Sequence, residues 1–337
     1  MKNIALISLS NGLKSNQKET ITSLTNSLKS KNINVYTVLT LYEEKENISY
    51  CPKKRAKELM KLYKDDKIDI ICDVSGGDLA NEVLDYIDFD YIKKHYKPYF
   101  GYSDLSVILN SLYTKTSSSN YLYQIRNVVL DQSTASLNNF VNFITNNNED
   151  LLNFSYKWLQ GNEMEGILVG GNLRCSLKLA GTKFMPSFKD KILLIESLGG
   201  NVAKITTYLT HYKLLGAFDE CTGIILGSFT EMEKNKLSPP VEELIIKIVD
   251  NKNIPIIKTS EIGHSSNSKA AIIGGYYKFS NNIMIINEKV WDDETSQTFY
   301  FYLFPGSNGS PDAFGARDLF EKNTSTSNVA TYGNIFK

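Results

Sequence analysis

The sequence feature that most constrains the fold is a regular alternation of short apolar segments with amphipathic helical segments. Residues 68–74, with the sequence IDIICDV, form a continuous apolar run. Such a run is typical of a strand that is buried on both faces of a parallel sheet. Further strand candidates at 3–9, 33–40 and 98–102 are separated by segments with helical spacing of apolar residues. The alternation predicts an open α/β sheet whose strands are mostly parallel.

A change in composition divides the chain into regions. Residues 116–160 are rich in Asn, Ser and Thr, and we interpret them as a crossover and linker. The alternation resumes near Gly166, with strand candidates that include 192–197 and 223–229. We therefore predict a first domain at 1–145, a linker at 146–165, a second domain at 166–290 and a polar C-terminal extension at 291–337.

The charge balance excludes some partners. Lysine plus arginine and aspartate plus glutamate each number 37, so the formal net charge is zero. This balance predicts neither a nucleic acid nor a membrane as partner. No stretch approaches the roughly 18 apolar residues of a membrane span, and the first apolar run is too short for a signal peptide. We therefore expect a cytoplasmic protein.

The cysteines and histidines give no sign of a metal site. The four cysteines are widely spaced and form no CxxC pair, which favours buried thiols in a reducing compartment. There are three histidines and no HExxH motif, so a zinc site is not predicted. We expect the protein to need no metal and no organic cofactor.

A serine at a predicted strand-to-helix turn is the first candidate for chemistry. The segment 100–113, FGYSDLSVILNSLY, is a short strand that ends at Gly101-Tyr102, followed by a helix that Ser103 and Asp104 open. N–H groups at a helix N-terminus suit the oxyanion that forms when a carbonyl is attacked. The alternative is that Ser103 or Asp104 only caps the helix. The segment is not a G-x-S-x-G elbow.

A pair of glycines forms the second candidate. Gly76 and Gly77 follow the buried strand 68–74 and precede a helix, so their turn can bring backbone N–H groups close to a ligand. The alternative is a tight turn with no ligand. A dinucleotide site is weakly supported because no G-x-G-x-x-G is present.

An acid and a histidine complete the set. Glu196 ends the apolar run ILLIES, where a carboxylate is held in place and partly desolvated, although it could equally be a solvated strand end. His264 follows Gly263 in a polar loop after a strand, and histidine is the usual base near neutral pH. The alternative is an ordinary loop histidine. His95 and His211 lie in segments that predict surface positions.

Together these segments resemble the LD-carboxypeptidase family of serine peptidases, which also contains the microcin C immunity peptidases. The resemblance covers about residues 3–115 and 166–287. It is carried, in chain order, by Gly76-Gly77, GYSD at 101–104, GGNLRCSLKLAGT at 170–182, ILLIES at 192–197 and IGH at 262–264.

The resemblance implies both a fold and a set of roles. Ser103 would be the nucleophile, His264 the base and Glu196 its orienting acid, and the N–H groups of Gly77 and Asp104 would form the oxyanion hole. The fold would be an N-terminal Rossmann-like parallel-sheet domain plus a C-terminal β-rich α/β domain, with the site between them. The protein would be a homodimer.

Departures from the family pattern leave the substrate open. Many carboxypeptidase members have Arg before the Gly-Gly pair, where this chain has Ser75. The substrate would be a murein tetrapeptide that loses its terminal D-alanine, or a peptidyl-nucleotide conjugate cut after a terminal Asp. Two other classes remain: a nucleotide-binding oxidoreductase, and a catalytically inactive module that binds peptides.

Overall fold

The computed structural model describes residues 1–46, 48–146, 148–280, 283–290 and 297–303. Within these ranges the chain forms two sheets with helices packed against them. The predicted extension at 291–337 lies outside the described residues, except for one strand at 297–303. None of the helices in the described ranges is long and apolar enough to cross a membrane.

The strands of the described ranges are distributed over the whole chain. In order they are β1 (Lys2–Ile7), β2 (Ile33–Thr37), β3 (Ile70–Asp73), β4 (Tyr99–Gly101), β5 (Asn120–Leu122), β6 (Lys157–Gln160), β7 (Glu163–Asn172), β8 (Lys191–Ser197), β9 (Gly223–Phe229), β10 (Ile256–Lys258), β11 (Ala271–Ile273), β12 (Tyr276–Ser280), β13 (Ile283–Val290) and β14 (Gln297–Leu303).

Helices connect most of these strands. The α-helices are α1 (Lys18–Lys29), α2 (Pro52–Lys64), α3 (Phe89–Lys94), α4 (Ser106–Thr116), α5 (Asn127–Leu130), α6 (Ala135–Asn146), α7 (Leu173–Ser176), α8 (Val202–Leu214), α9 (Ala217–Glu220), α10 (Thr230–Lys234) and α11 (Val241–Val249). Short 3₁₀ helices lie at Ser15–Gln17, Leu39–Leu41, Ala80–Tyr86, Ser103–Leu105, Glu149–Leu151 and Leu177–Leu179.

The first sheet has the order β11-β5-β4-β3-β1-β2. Strands β1 to β5 are parallel, and β11 runs antiparallel to β5 at the edge. All four residues of β3 are buried, as the continuous apolar run predicts for a central parallel strand. Helix α1 buries Ile21, Leu24 and Leu28, which lie on one face at helical spacing. This sheet confirms the predicted Rossmann-like architecture.

The second sheet has the order β14-β13-β12-β7-β8-β9-β10-β6. Strands β7 to β10 are parallel, and antiparallel strands extend the sheet on both sides. Strand β9 is buried along its whole length and β8 along all but its first residue, while α8 and α11 contribute apolar side chains to the core that includes these strands. The predicted β-rich α/β character of this part is confirmed.

Residues 116–160 contain more regular structure than their polar composition predicts. Strand β5 joins the first sheet and α6 packs on it, with Phe140 in edge contact with Phe100. Tyr121 of β5 stacks on the same Phe100 ring, with 4.4 Å between ring centroids. A three-residue strand shows no periodicity, so its place in the sheet depends on contacts with residues distant in sequence.

Two consecutive strands near the end of the second predicted domain belong to different sheets. Strand β11 pairs with β5 in the first sheet, whereas β12 pairs with β7 in the second. Gly274 and Gly275 form the connection between them. The C-terminal half of the chain therefore supplies an edge strand to the first sheet, and this crossing holds the two sheets together.

Candidate active site

Ser103 lies directly after β4, where the parallel strands of the first sheet have their carboxyl ends. Its backbone is in the left-handed region, with a φ of 56°. This conformation is strained for a residue with a side chain, and such strain is often found at functional positions. Ser103 also opens the short 3₁₀ helix that leads into α4, as the sequence predicts.

Glu196 and His264 form a buried pair. The Oε2 atom of Glu196 lies 2.7 Å from Nδ1 of His264, although 68 residues separate them in the chain. Glu196 is completely buried, and the His264 side chain is 10 % exposed. The second carboxylate oxygen, Oε1, accepts a hydrogen bond of 3.0 Å from Nδ2 of Asn172. Both oxygens of Glu196 are therefore used, and the carboxylate is held in one orientation.

Tyr102 places this pair next to Ser103. The rings of Tyr102 and His264 are in contact, with 4.5 Å between their centroids. Burial raises the pKa of the Tyr102 phenol well above its ordinary value, and the nearby charge of Glu196 raises it further. The residue before Ser103 is thus in ring contact with His264, and its pKa responds to the charge of Glu196.

The second ring nitrogen of His264 is free to act on another group. Its Nε2 atom is buried and has no hydrogen-bond partner among the described residues, so the Ser103 hydroxyl is not hydrogen-bonded to it here. A buried nitrogen without a partner is unfavourable and calls for a functional reason. Hydrogen bonds between catalytic groups often tighten only when substrate is bound.

Gly263 allows His264 to approach Glu196. Gly263 has a φ of 153°, and a Cβ atom there would lie 1.7 Å from Oγ of Ser228. Gly227 in β9 packs against Glu196, and a Cβ atom at Gly227 would lie 2.8 Å from the Cβ atom of Glu196. The absence of side chains at both positions lets the His264 loop pack directly against β9 and the acid.

We expect Gly263→Ala to lower kcat by about 100-fold, because the clash with Ser228 would displace His264 by a fraction of an ångström or more. The strain would also lower the free energy of unfolding by about 1–3 kcal/mol. Gly181→Ala is a suitable control, since Gly181 has a φ of 74° with no atom near its Cβ position. Equal kcat values in the two variants, measured beside their melting temperatures, would contradict this account of Gly263.

Of the two predicted oxyanion-hole residues, Asp104 follows Ser103 in the short 3₁₀ helix, and Gly77 lies in the loop after β3. Gly77 has a φ of 122°, and a Cβ there would lie 2.3 Å from Oδ1 of Asn11, so only glycine fits. The N–H of Asp104 belongs to the first turn of a helix, where amides have no acceptor within the helix. The Asp104 side chain is fully buried and accepts hydrogen bonds from Ser10 Oγ and the Ala80 N–H.

Two cations from the second half of the chain hold these loops. Lys178 Nζ donates to Oδ1 of Asp104 at 2.5 Å and to the carbonyl of Asp78 at 2.9 Å. Arg174 forms an ion pair with Asp78, the residue after Gly77. Neither these ion pairs of Arg174 and Lys178 nor the hydrogen bond of Asn172 with Glu196 was predicted from the sequence. All three residues lie in GGNLRCSLKLAGT, where Arg174 and Lys178 have the four-residue spacing of one helical face.

We expect Lys178→Met to lower the free energy of unfolding by about 2 kcal/mol, because it leaves the buried Asp104 carboxylate without its cation. The loss is smaller than for a fully buried pair, since the lysine is 18 % exposed. Lys183→Met is the control, because Lys183 is 66 % exposed and its ion pair with Asp85 spans 3.6 Å. Urea unfolding of both variants measures the difference, and equal stabilities would show that Asp104 does not need the lysine.

Ser75 is turned away from solvent and toward Asp73. Its backbone N–H and its hydroxyl both donate to Oδ1 of Asp73, at 2.8 and 2.6 Å. Burial raises the pKa of Asp73 to about 6, and the hydrogen bonds from Ser75 act in the opposite direction. Ser75 therefore stabilises the loop before Gly76 through buried hydrogen bonds to Asp73.

The remaining histidines take no part in this site. His95 and His211 are exposed, as the sequence predicts. Across the described residues, no group of three or more His, Cys, Asp or Glu side chains is placed to hold a metal ion. The candidate site therefore combines a serine on a strained turn with a buried histidine–carboxylate pair. This arrangement defines the class of serine hydrolases.

Family comparisons identify the particular group. The family model of the LD-carboxypeptidase N-terminal domain matches residues 4–123, and that of the C-terminal domain matches residues 165–279. The chain belongs to the LD-carboxypeptidase family. It is a serine-type carboxypeptidase by class.

Three relatives illustrate the range of the family. A putative carboxypeptidase of Treponema pallidum is 27% identical over 253 residues, which are 66% of this chain and 73% of the relative. The microcin C7 self-immunity protein MccF of Escherichia coli is 25% identical, over 63% of this chain and 71% of the relative. A probable murein peptide carboxypeptidase of Bacillus subtilis is 25% identical, over 65% and 71%.

Solved structures agree on the fold. MccF in complex with aspartyl sulfamoyl adenosine superposes with a TM-score of 0.73 at 20% identity, covering 83% of this chain and 93% of that one. The muramoyltetrapeptide carboxypeptidase from Oxalobacter formigenes gives a TM-score of 0.69 at 20% identity, over 83% and 95%. At this identity the similarity establishes the two-sheet fold.

Proposed function

We propose that the protein hydrolyses an amide bond near the C-terminus of a small peptide, with Ser103 as nucleophile, His264 as base and Glu196 as the acid that orients the histidine. One observation carries the proposal. Glu196 holds Nδ1 of His264 at 2.7 Å, while the opposite nitrogen is buried without a partner beside the Tyr102-Ser103 turn. A base with one nitrogen fixed and the other free is arranged to take a proton.

In the proposed mechanism, Ser103 Oγ transfers its proton to Nε2 of His264 and attacks the substrate carbonyl. The negative charge that develops on the carbonyl oxygen is stabilised by the N–H groups of Gly77 and Asp104, and one such donor contributes about 3 kcal/mol. Glu196 stabilises the imidazolium. The proton on Nε2 then passes to the leaving amine as the C–N bond breaks. A water molecule, deprotonated by His264, releases the acyl group from Ser103.

The substrate that we propose first is a murein tetrapeptide, which would lose its terminal D-alanine. The similarity to the murein peptide carboxypeptidase of Bacillus subtilis and to the Oxalobacter formigenes enzyme supports this choice. The second candidate is a peptidyl-nucleotide conjugate of the microcin C type. The similarity to MccF, whose structure binds aspartyl sulfamoyl adenosine, supports that alternative.

The assembly, the location and the domain limits are further proposals. We propose a homodimer in the cytoplasm, and light scattering of the purified protein would measure the assembly. We also propose that residues 1–145 form a first domain and residues 166–290 a second, joined by 146–165, with β11 of the second range completing the first sheet. The parallel first sheet and the mixed second sheet support a division in this part of the chain.

Mass spectrometry would test the proposed reaction. Wild type and Ser103→Ala are incubated with a murein tetrapeptide and, in parallel, with aspartyl-sulfamoyl-adenosine. Release of D-alanine by the wild type alone supports the carboxypeptidase function, and cleavage of only the nucleotide conjugate supports the immunity function. If neither substrate is cut, the inactive peptide-binding module becomes the better description.

A further inference from the structure

Arg126 lies between the two segments that carry Ser103 and His264. It follows β5, whose neighbour β4 leads to Ser103, and the N–H of Tyr123 donates to the carbonyl of Gly101 at 2.9 Å. On its other side, Nδ2 of Asn127 donates to the Ser268 hydroxyl at 2.9 Å and to the carbonyl of Ser265, the residue after His264, at 3.4 Å. Arg126 is thus positioned at the rim of the candidate active site.

The guanidinium of Arg126 has no anionic partner among the described residues. Its Nε atom is buried and forms no hydrogen bond. The other arginines in the described ranges each form an ion pair, Arg55 with Glu82 and Arg174 with Asp78. A buried or half-buried guanidinium that forms no ion pair is unfavourable, because its charge has lost water and its N–H groups have gained no carboxylate acceptor.

The nearest charge to be considered for Arg126 is that of Asp73, at the end of β3. Burial lowers the pKa of Arg126, and the negative charge of Asp73 at the end of β3 acts in the opposite direction. Strands β3 and β5 lie on either side of β4, about 10 Å apart. Arg126 and Asp73 therefore follow or end the two strands that flank β4, the strand that leads to Ser103.

The carboxylate of Asp73 is hydrogen-bonded to groups other than Arg126. Its Oδ1 atom accepts from the N–H and hydroxyl of Ser75, and its Oδ2 atom accepts from the Leu9 N–H and the Tyr99 hydroxyl. The two cations on the opposite side of the site, Arg174 and Lys178, are already paired with Asp78 and Asp104. Of these three cations in the described part of the chain, Arg126 is therefore the one that forms no ion pair.

We propose that Arg126 binds a carboxylate group of the peptide substrate. This inference rests on the proposed function, because it assumes that a peptide occupies the site beside Ser103. A guanidinium is planar and can donate two parallel hydrogen bonds to a carboxylate, which fixes both its position and its orientation. Binding of substrate would supply the paired carboxylate that the described part of the chain does not.

The carboxylate has two possible sources in the substrate. It is the free C-terminal carboxylate of the leaving residue if the protein shortens peptides, or the side chain of an acidic residue on the acyl side of the cleaved bond. Both present the same chemistry to Arg126. Paired ligands that differ only in one carboxylate distinguish the two sources.

The experiment measures binding by calorimetry to Ser103→Ala, in which the ligands are not turned over. The ligands are a murein tetrapeptide and its C-terminal amide, and aspartyl- and asparaginyl-sulfamoyl-adenosine. We expect Ser103→Ala to bind the acid of at least one pair about 10- to 100-fold more tightly than its amide. In Ser103→Ala/Arg126→Met this preference should fall to about 1, and Arg126→Lys in the same background should restore part of it.

Lys278→Met in the Ser103→Ala background is the control, because Lys278 pairs with Glu165 on the second sheet. It should leave the preference unchanged. An acid preference that survives Arg126→Met overturns the inference, as does equal weakening of acid and amide, or no binding of any of the four ligands. Turnover by the wild type tests the proposed function separately. If the wild type cuts neither substrate and the preference still depends on Arg126, the catalytic proposal fails and this inference stands.

Discussion

Replacing Glu196 with glutamine is expected to lower kcat by about 10⁴-fold, the size of effect known for the equivalent change in a Ser-His-Asp triad. Both oxygens of Glu196 accept hydrogen bonds, one from His264 and one from Asn172. An amide has a single acceptor oxygen. If that oxygen stays with Asn172, the NH₂ group faces Nδ1, and the ring carries its proton on Nε2. A histidine in this tautomer cannot accept the proton of Ser103.

The rate of product formation, followed by mass spectrometry, measures this effect. The melting temperature of the variant shows whether its fold is retained. Glu165→Gln is the matched control, because Glu165 forms an exposed ion pair with Lys278 on the second sheet. It should leave kcat unchanged. If Glu196→Gln retains wild-type kcat, Glu196 has no part in the mechanism.

Ser103→Ala is expected to lower kcat by at least about 10⁴-fold, because no other group in the proposed mechanism replaces the nucleophile. Binding of substrate should persist, since the change removes one oxygen atom. Labelling by a fluorophosphonate, which reacts with activated serines, should occur in the wild type and not in the variant. Persistent turnover by Ser103→Ala would assign the nucleophile to another residue.

Ser103→Gly provides a second measurement at the same position. The left-handed backbone at Ser103 is unfavourable for serine and acceptable for glycine. We expect this variant to be as inactive as Ser103→Ala, and to be more stable by up to about 1 kcal/mol. Inactivity together with higher stability would show that the strained turn serves the reaction. A less stable Ser103→Gly would contradict the assignment of strain to this turn.

The site was only partly predictable from local patterns. GYSD, ILLIES and IGH each combine a strand end with a reactive side chain, so Ser103, Glu196 and His264 could be selected one by one. The supporting residues could not, because Asn172 and Lys178 act through contacts with Glu196 and Asp104, which lie 24 and 74 residues away. A contact between residues so far apart in the chain produces no periodic pattern within a single segment.

The fold was also only partly predictable from local sequence patterns. Periodicity and apolar runs, which follow from local geometry and burial, were enough to predict the α/β class, the positions of the central strands along the chain and the reactive residues at strand ends. Three outcomes depend on tertiary structure: β11 joins the first sheet, Nδ1 of His264 lies next to Glu196, and the Nε atom of Arg126 is buried without a hydrogen-bond partner among the described residues. These outcomes depend on strand register and on packing between distant segments, which pairing across the two sheets determines.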